Sequence, residues 1–242
     1  MVIPVATPVP QLQVQDLGRW APTADRRNPI AVLQEQEADR LPWLVPVRHS
    51  RMAHDAFAFY RGTPAVMAHD LGTAPSSGLE VQLCGDCHLA NFGFYASPEW
   101  SLVFDLNDFD ETVRGPFEWD LKRLVASAVL AGRSLALTSN QQGRMARRTA
   151  RAYRKAMQTL ATQSLHQVWA QRFDVDAYIN ELEHPPLRQH ILKVSAKARA
   201  HTNIEAAGQL CERGPDGQLQ LRHDPPLIWR HALLDRSWTA DI

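Results

Sequence analysis

A change of hydrophobic period near residue 79 constrains this chain more than any other feature. Before it, apolar residues recur at helical spacing. Then Leu79-Glu80-Val81-Gln82-Leu83 alternates apolar and polar side chains, the mark of a half-buried strand. A polar loop comes next, Gly85-Asp86-Cys87-His88-Leu89-Ala90-Asn91, with a carboxylate and an amide five residues apart. Residues 91–95 and 101–104 read as short strands joined by a Ser97-Pro98-Glu99 turn, which delivers Asp105, Asp108, Asp110 and Glu111 to an acidic loop over 105–115. From Pro116 the helical period returns.

The flanks complete an α+β fold class, mostly helical around a small antiparallel β element. Asn28-Pro29 reads as an N-cap with proline in the first turn, opening a helix to about residue 40. Pro42 and Pro46 break the chain after that helix, and further helices are expected over 52–60 and from Thr63-Pro64 to Gly72. Beyond the acidic loop, helices are expected over 116–131, 139–173, 176–183 and 186–201. Pro215-Asp216-Gly217 reads as a turn between two short strands. Pro4, Pro8 and Pro10 suggest an extended or disordered arm over 1–27, and 28–242 is read as a single domain.

The loop residues suit phosphoryl transfer. That chemistry needs a carboxylate to accept the attacking hydroxyl's proton, and an Asn and a second Asp to hold the Mg²⁺ that bridges the phosphates. Magnesium prefers oxygen ligands and keeps several waters, so one or two carboxylates and an amide suffice. Strand, Asp-x4-Asn loop, hairpin, then Asp is also the order in protein kinases and aminoglycoside phosphotransferases. The latter loop reads roughly His-Gly-Asp-x-His-x-x-Asn; Gly85, Asp86, His88 and Asn91 match it, and Cys84 stands where its first histidine would be. The 14 residues from Asn91 to Asp105 suit a tight hairpin, which makes Asp105 the first choice for the metal aspartate and Asp108 the fallback. Arg61 is placed either to meet a phosphate or to pair with one of these carboxylates.

Longer motifs carry a closer resemblance. Phe57-Ala58-Phe59-Tyr60-Arg61-Gly62, Val81-Gln82-Leu83-Cys84-Gly85-Asp86, Asn91-Phe92-Gly93, the run from Val103 to Thr112 and that from Gly115 to Arg123 resemble the bacterial domain-of-unknown-function family 2252. The resemblance covers most of residues 28–230. It implies a kinase-like catalytic-lobe fragment of an ATP- and Mg-dependent phosphotransferase. Asp86 would be the base, His88 would orient the loop, Asn91 and Asp105 would bind magnesium, and Asp108 would be the alternate ligand. In that family a glycine-rich stretch and a lysine-bearing strand come after the catalytic loop. This chain has no G-x-G-x-x-G, its four lysines lie in helical patterns, and it stops at Ile242 about where that half would begin. The expectation is a member incomplete at its C-terminus, lacking the nucleotide-gripping half. An exposed apolar face there would favour self-association or a complementing chain. The phosphate acceptor, small molecule or protein, is not specified.

Two other readings compete. The loop could persist in a non-catalytic domain that binds a partner or small anion. Cys84-Gly85-Asp86-Cys87-His88 is also a literal C-x-x-C-H, which suggests a Cys84/Cys87 metal or redox site or, after export, haem attachment. The N-terminus lacks a secretion signal and three cysteines are too few for a disulfide scaffold, so a cytoplasmic protein without haem is expected.

Lysine plus arginine (26) balances aspartate plus glutamate (26), so no global field draws the chain to nucleic acid or to a membrane. No apolar run approaches the roughly 18–20 residues that cross a bilayer. Arg144, Arg147, Arg148, Arg151, Arg154 and Lys155 make one basic helical stripe, read as a solvated face.

Overall fold

The computed structural model describes residues 14–97, 101–200, 203–225, 228 and 230. The Ser97-Pro98-Glu99 turn and the three prolines of the arm lie wholly or partly outside them. The fold is α+β and mostly helical, with small two-stranded sheets. Among the described residues no helix is long and apolar enough to cross a membrane. The chain divides into two compact units, one within Met1–Gly93 and Asp105–Gln171, the other within Phe94–Phe104 and Arg172–Ile242.

The first unit opens with a 3-10 turn at Val14–Gly18. The next segment is tied down: Trp20 Nε1 donates to the Asp70 carbonyl at 3.0 Å, and Arg26 pairs with the Asp70 carboxylate at 2.6 Å. Helix α1 (Pro29–Glu37) starts as its sequence dictates, with Asn28 Oδ1 accepting from Ile30 N–H. Pro42 and Pro46 are starters rather than breaks. Pro42 opens a 3-10 turn and Pro46 lies in the first turn of α2 (Val45–Met52), where proline's missing N–H costs nothing. The helix expected over 52–60 starts later than expected, at Ala56, because Met52 is the last residue of α2. Asp55 accepts from Ala58 N–H and caps a separate α3 (Ala56–Arg61), and α4 (Pro64–Gly72) comes after it.

Strand β1 (Glu80–Leu83) pairs antiparallel with β4 (Val113–Pro116), Leu83 opposite Val113 and Glu80 opposite Pro116. The last three residues of the expected acidic loop are thus strand. Between them lie β2 (Phe92–Ala96) and its partner β3 (Leu102–Leu106). Helix α5 (Glu118–Ser134) packs against α6 (Ser139–Leu160), with Phe117 and Tyr153 stacked at 6.2 Å. The long helix expected to run to 173 stops at Leu160, and α7 (Leu165–Ala170) restarts behind its own Ser164/Gln167 capping box. Val32, Leu33, Leu71, Leu83 and Ala128 form this unit's buried apolar core with Cys84 and Cys87.

The second unit holds α8 (Val175–Glu181), α9 (Pro185–Ala200), α10 (Asn203–Leu210) and the hairpin of β5 (Cys211–Arg213) and β6 (Leu219–Leu221). The expected turn is there, with Gly217 at φ +77°. Phe94, Phe104, Phe173 and Tyr178 form an aromatic chain with centroids 5.0–6.0 Å apart.

Candidate active site

The loop after β1 is clamped from below by one face of α5. Cys84 and Gly85 both donate their N–H groups to the Asp120 carboxylate, at 2.8 and 3.1 Å, and Leu89 N–H donates to Ser127 Oγ at 3.0 Å. Asp120, Arg123 and Ser127 recur at spacings of three and four, so all three face the loop. Gly85 is required here. Its φ is +83°, and a Cβ would lie 1.9 Å from the Glu111 carbonyl oxygen. Inside the loop, the Asp86 carbonyl accepts from His88 N–H and from Asn91 Nδ2, both at 2.7 Å. The Asn91 carbonyl accepts from Asn107 N–H at 3.0 Å, which ties the loop to the end of the hairpin.

Asp86 is buried, and its Oδ1 accepts from Nε of Arg123, itself only 2% exposed. Arg123 is held in turn by Tyr60: Nη2 donates to the Tyr60 carbonyl at 2.9 Å, and the guanidinium lies 4.3 Å from the ring centroid. Burial pushes the Tyr60 phenol up to about 12. The other Asp86 oxygen, Oδ2, lies 3.6 Å from His88 Nε2. His88 is 3% exposed and its Nδ1 has no hydrogen-bond partner. Burial holds the imidazole below its usual range; Asp86 opposes that shift, while the Arg123 and Arg61 charges add to it.

These groups open onto a cavity of about 750 Å³. Asp86, His88, Asn91, Asp108 and Glu111 line it from the loop side. Arg40, Arg48, Arg51 and Arg61 line it from the segments that end α1, α2 and α3. Of the residues singled out from sequence, Asp86, His88, Asn91, Asp108 and Arg61 thus share one cavity. Asp105 is exposed on β3, accepts from Leu106 N–H at 2.8 Å and is not among the lining residues. Arg61 does not make the carboxylate pair expected as one of its two roles; no ion pair to it occurs among the described residues.

Burial raises the Glu111 carboxyl, and Asp86, Asp108 and Asp110 raise it further. Such crowding of negative charge favours a cation. Among the described residues no three His, Cys, Asp or Glu side chains form a metal-binding group. The oxygen donors present, Asn91 with Asp108 and Glu111 nearby, suit a hard ion that keeps its waters. Burial raises the Cys84 thiol, and burial with Asp120 close by pushes Cys87 up to about 12, so without a bound metal both stay protonated thiols at neutral pH.

Asp120, Arg123 and Ser127 are not among the site candidates that the sequence offers. Their spacing along α5 was the available signal, but nothing local shows that this face meets a loop 37 residues earlier.

The profile of a family described as an uncharacterized protein conserved in bacteria (DUF2252) matches residues 40–242. No curated protein and no solved structure matches the chain.

Proposed function

The chain belongs to the DUF2252 family of uncharacterized bacterial proteins, and on that footing we propose that its cavity is the centre of a kinase-like, ATP- and magnesium-dependent phosphotransferase. The observation that carries this reading is one cavity lined by Asp86, Asn91 and Asp108 and also by Arg61, which makes no ion pair among the described residues. Carboxylate, amide and cation are the parts that positioning a phosphoryl group and its acceptor hydroxyl requires.

Asp86 accepts the hydroxyl proton on Oδ2, since Oδ1 is engaged by Arg123. With Oδ1 fixed by Arg123, the same carboxylate also orients the nucleophile. Asn91 and Asp108 would hold magnesium, which when bound neutralises charge on the phosphates. Asp108 replaces Asp105 as first choice because only Asp108 lines the cavity. Arg61 meets the phosphates.

A second reading, an anion-binding domain without turnover, draws on the same Arg123 pairing, which ties up half of the Asp86 carboxylate. Calorimetric titration with Mg-ATP, then an assay for ADP release, separates the two. Saturable binding lost in Asp108→Ala and kept in Asp105→Ala is the expected result, with slow ADP release lost in Asp86→Asn. Binding without release selects the second reading. No binding at millimolar ATP by folded protein overturns both.

A further inference from the structure

We propose that Arg40, Arg51 and Arg61 form a subsite that binds a phosphoryl group without a metal ion. This deepens the reading of the cavity as a phosphate site and rests on it.

The three arginines reach one cavity from different places. Arg40 lies just past α1, Arg51 in the last turn of α2, and Arg61 at the end of α3. All three are exposed, and none has a hydrogen bond or ion pair from its side chain among the described residues. On this wall four arginines face a single acid, Asp39. Arg48, the fourth, is already engaged, donating from Nη1 to Glu37 at 3.2 Å and from Nη2 to the Gly62 carbonyl. Burial lowers the Arg48 guanidinium and the Arg40 charge lowers it further, so the like charges are close enough to repel. An anion relieves that repulsion, and the guanidinium fork matches phosphate oxygens two at a time.

A second, independent observation points to the same place. His88 lines this cavity, is 3% exposed and keeps an unpartnered Nδ1. The Arg61 charge acts on this ring, so the loop side and the arginine side of the cavity meet at His88. The two sides of the cavity are complementary in what they lack. The carboxylate side is short of positive charge, and the arginine side is short of negative charge. A metal alone would satisfy only the first.

Two phosphoryl groups fit this chemistry: a phosphate carried by the acceptor, or the terminal phosphates of the nucleotide. Titrating the full chain with inorganic phosphate in EDTA, read by ³¹P line broadening and calorimetry, tests the shared claim. Saturable binding is expected. In the Arg40→Gln/Arg51→Gln double variant it weakens by about tenfold or more, at an unchanged melting temperature because both side chains are exposed and unpaired. In Asp108→Ala it persists, since no metal is involved. Repeating the titration with saturating Mg-ATP identifies the source. Phosphate that still binds assigns the subsite to the acceptor, and phosphate that is displaced assigns it to the nucleotide. No saturable binding at millimolar phosphate, or binding unchanged in the double variant, overturns the subsite. Phosphate binding by a chain that ignores Mg-ATP leaves the subsite standing and removes the phosphotransferase.

Discussion

Arg123 and Glu118 are both 2–3% exposed on α5, and each holds a segment far from it in sequence. Arg123 fixes Asp86, so removing it would leave a buried carboxylate unpaired, a change that costs about 3–5 kcal/mol in comparable sites. Glu118 does similar work where β1 begins: its two oxygens accept from Ser77 N–H and Ser77 Oγ, each at 2.7 Å. Burial alone would raise this carboxyl, but the two Ser77 donors outweigh it and hold it below its ordinary 4.5. The folded chain therefore binds this proton less readily than the unfolded chain. The resulting stability is complete above the unfolded value and is lost as pH falls through the lower folded value. Glu118→Gln keeps one acceptor and loses the other, so urea unfolding at neutral pH should show a loss of about 1–3 kcal/mol. The gap between variant and wild type should narrow as pH drops below the ordinary 4.5. A gap independent of pH would show that the ionised carboxylate is not what holds Ser77.

At the scale of elements, α6 is the least balanced piece. Its 22 residues include no acid, and all six cations of its stripe are exposed with no ion pair among the described residues. Like charges three and four apart destabilise a helix by a few tenths of a kcal/mol each. Arg151→Glu converts those contacts into attractive pairs with Arg147, Arg148, Arg154 and Lys155. Thermal melts should show a gain of about 1 kcal/mol at low salt that shrinks in high salt. No gain would mean that the stripe is already neutralised. The stripe itself was legible in the sequence, because period and charge are local. So were the Asn28 cap, β1 and the Gly217 turn. The loop residues Asp86, His88 and Asn91 were legible as a constellation for the same reason. Strand β4 was not, since Gly115 and Pro116 are poor strand residues and the segment takes its conformation from pairing with β1. The break between α6 and α7 could have been read from Ser164 and Gln167. The choice between Asp105 and Asp108 could not, because which carboxylate reaches the cavity depends on where β3 ends and the hairpin turns back.

For the molecule as a whole, the division into two units separates what the cavity needs from what it does not. Every residue lining the cavity lies in the first unit, and so do the clamps Asp120, Arg123 and Ser127. The segment Phe94–Phe104 is an excursion from that unit, leaving by β2 and returning by β3. Gly93 and Asp105 stand at the base of a paired ribbon, so a two-residue Asn-Gly turn can join them in place of the excised tip. A chain shortened in this way and ended at Gln171 retains the β1–β4 pair, the α5–α6 packing and the core of Val32, Leu33, Leu71, Leu83 and Ala128. It is long enough to bury a core of its own. It should melt in one cooperative transition and keep whatever phosphate response the full chain shows. If it folds but loses that response, the cavity depends on the second unit. If it shows no cooperative melt, the two units are a single folding entity, and their compactness reflects chain path rather than independent stability.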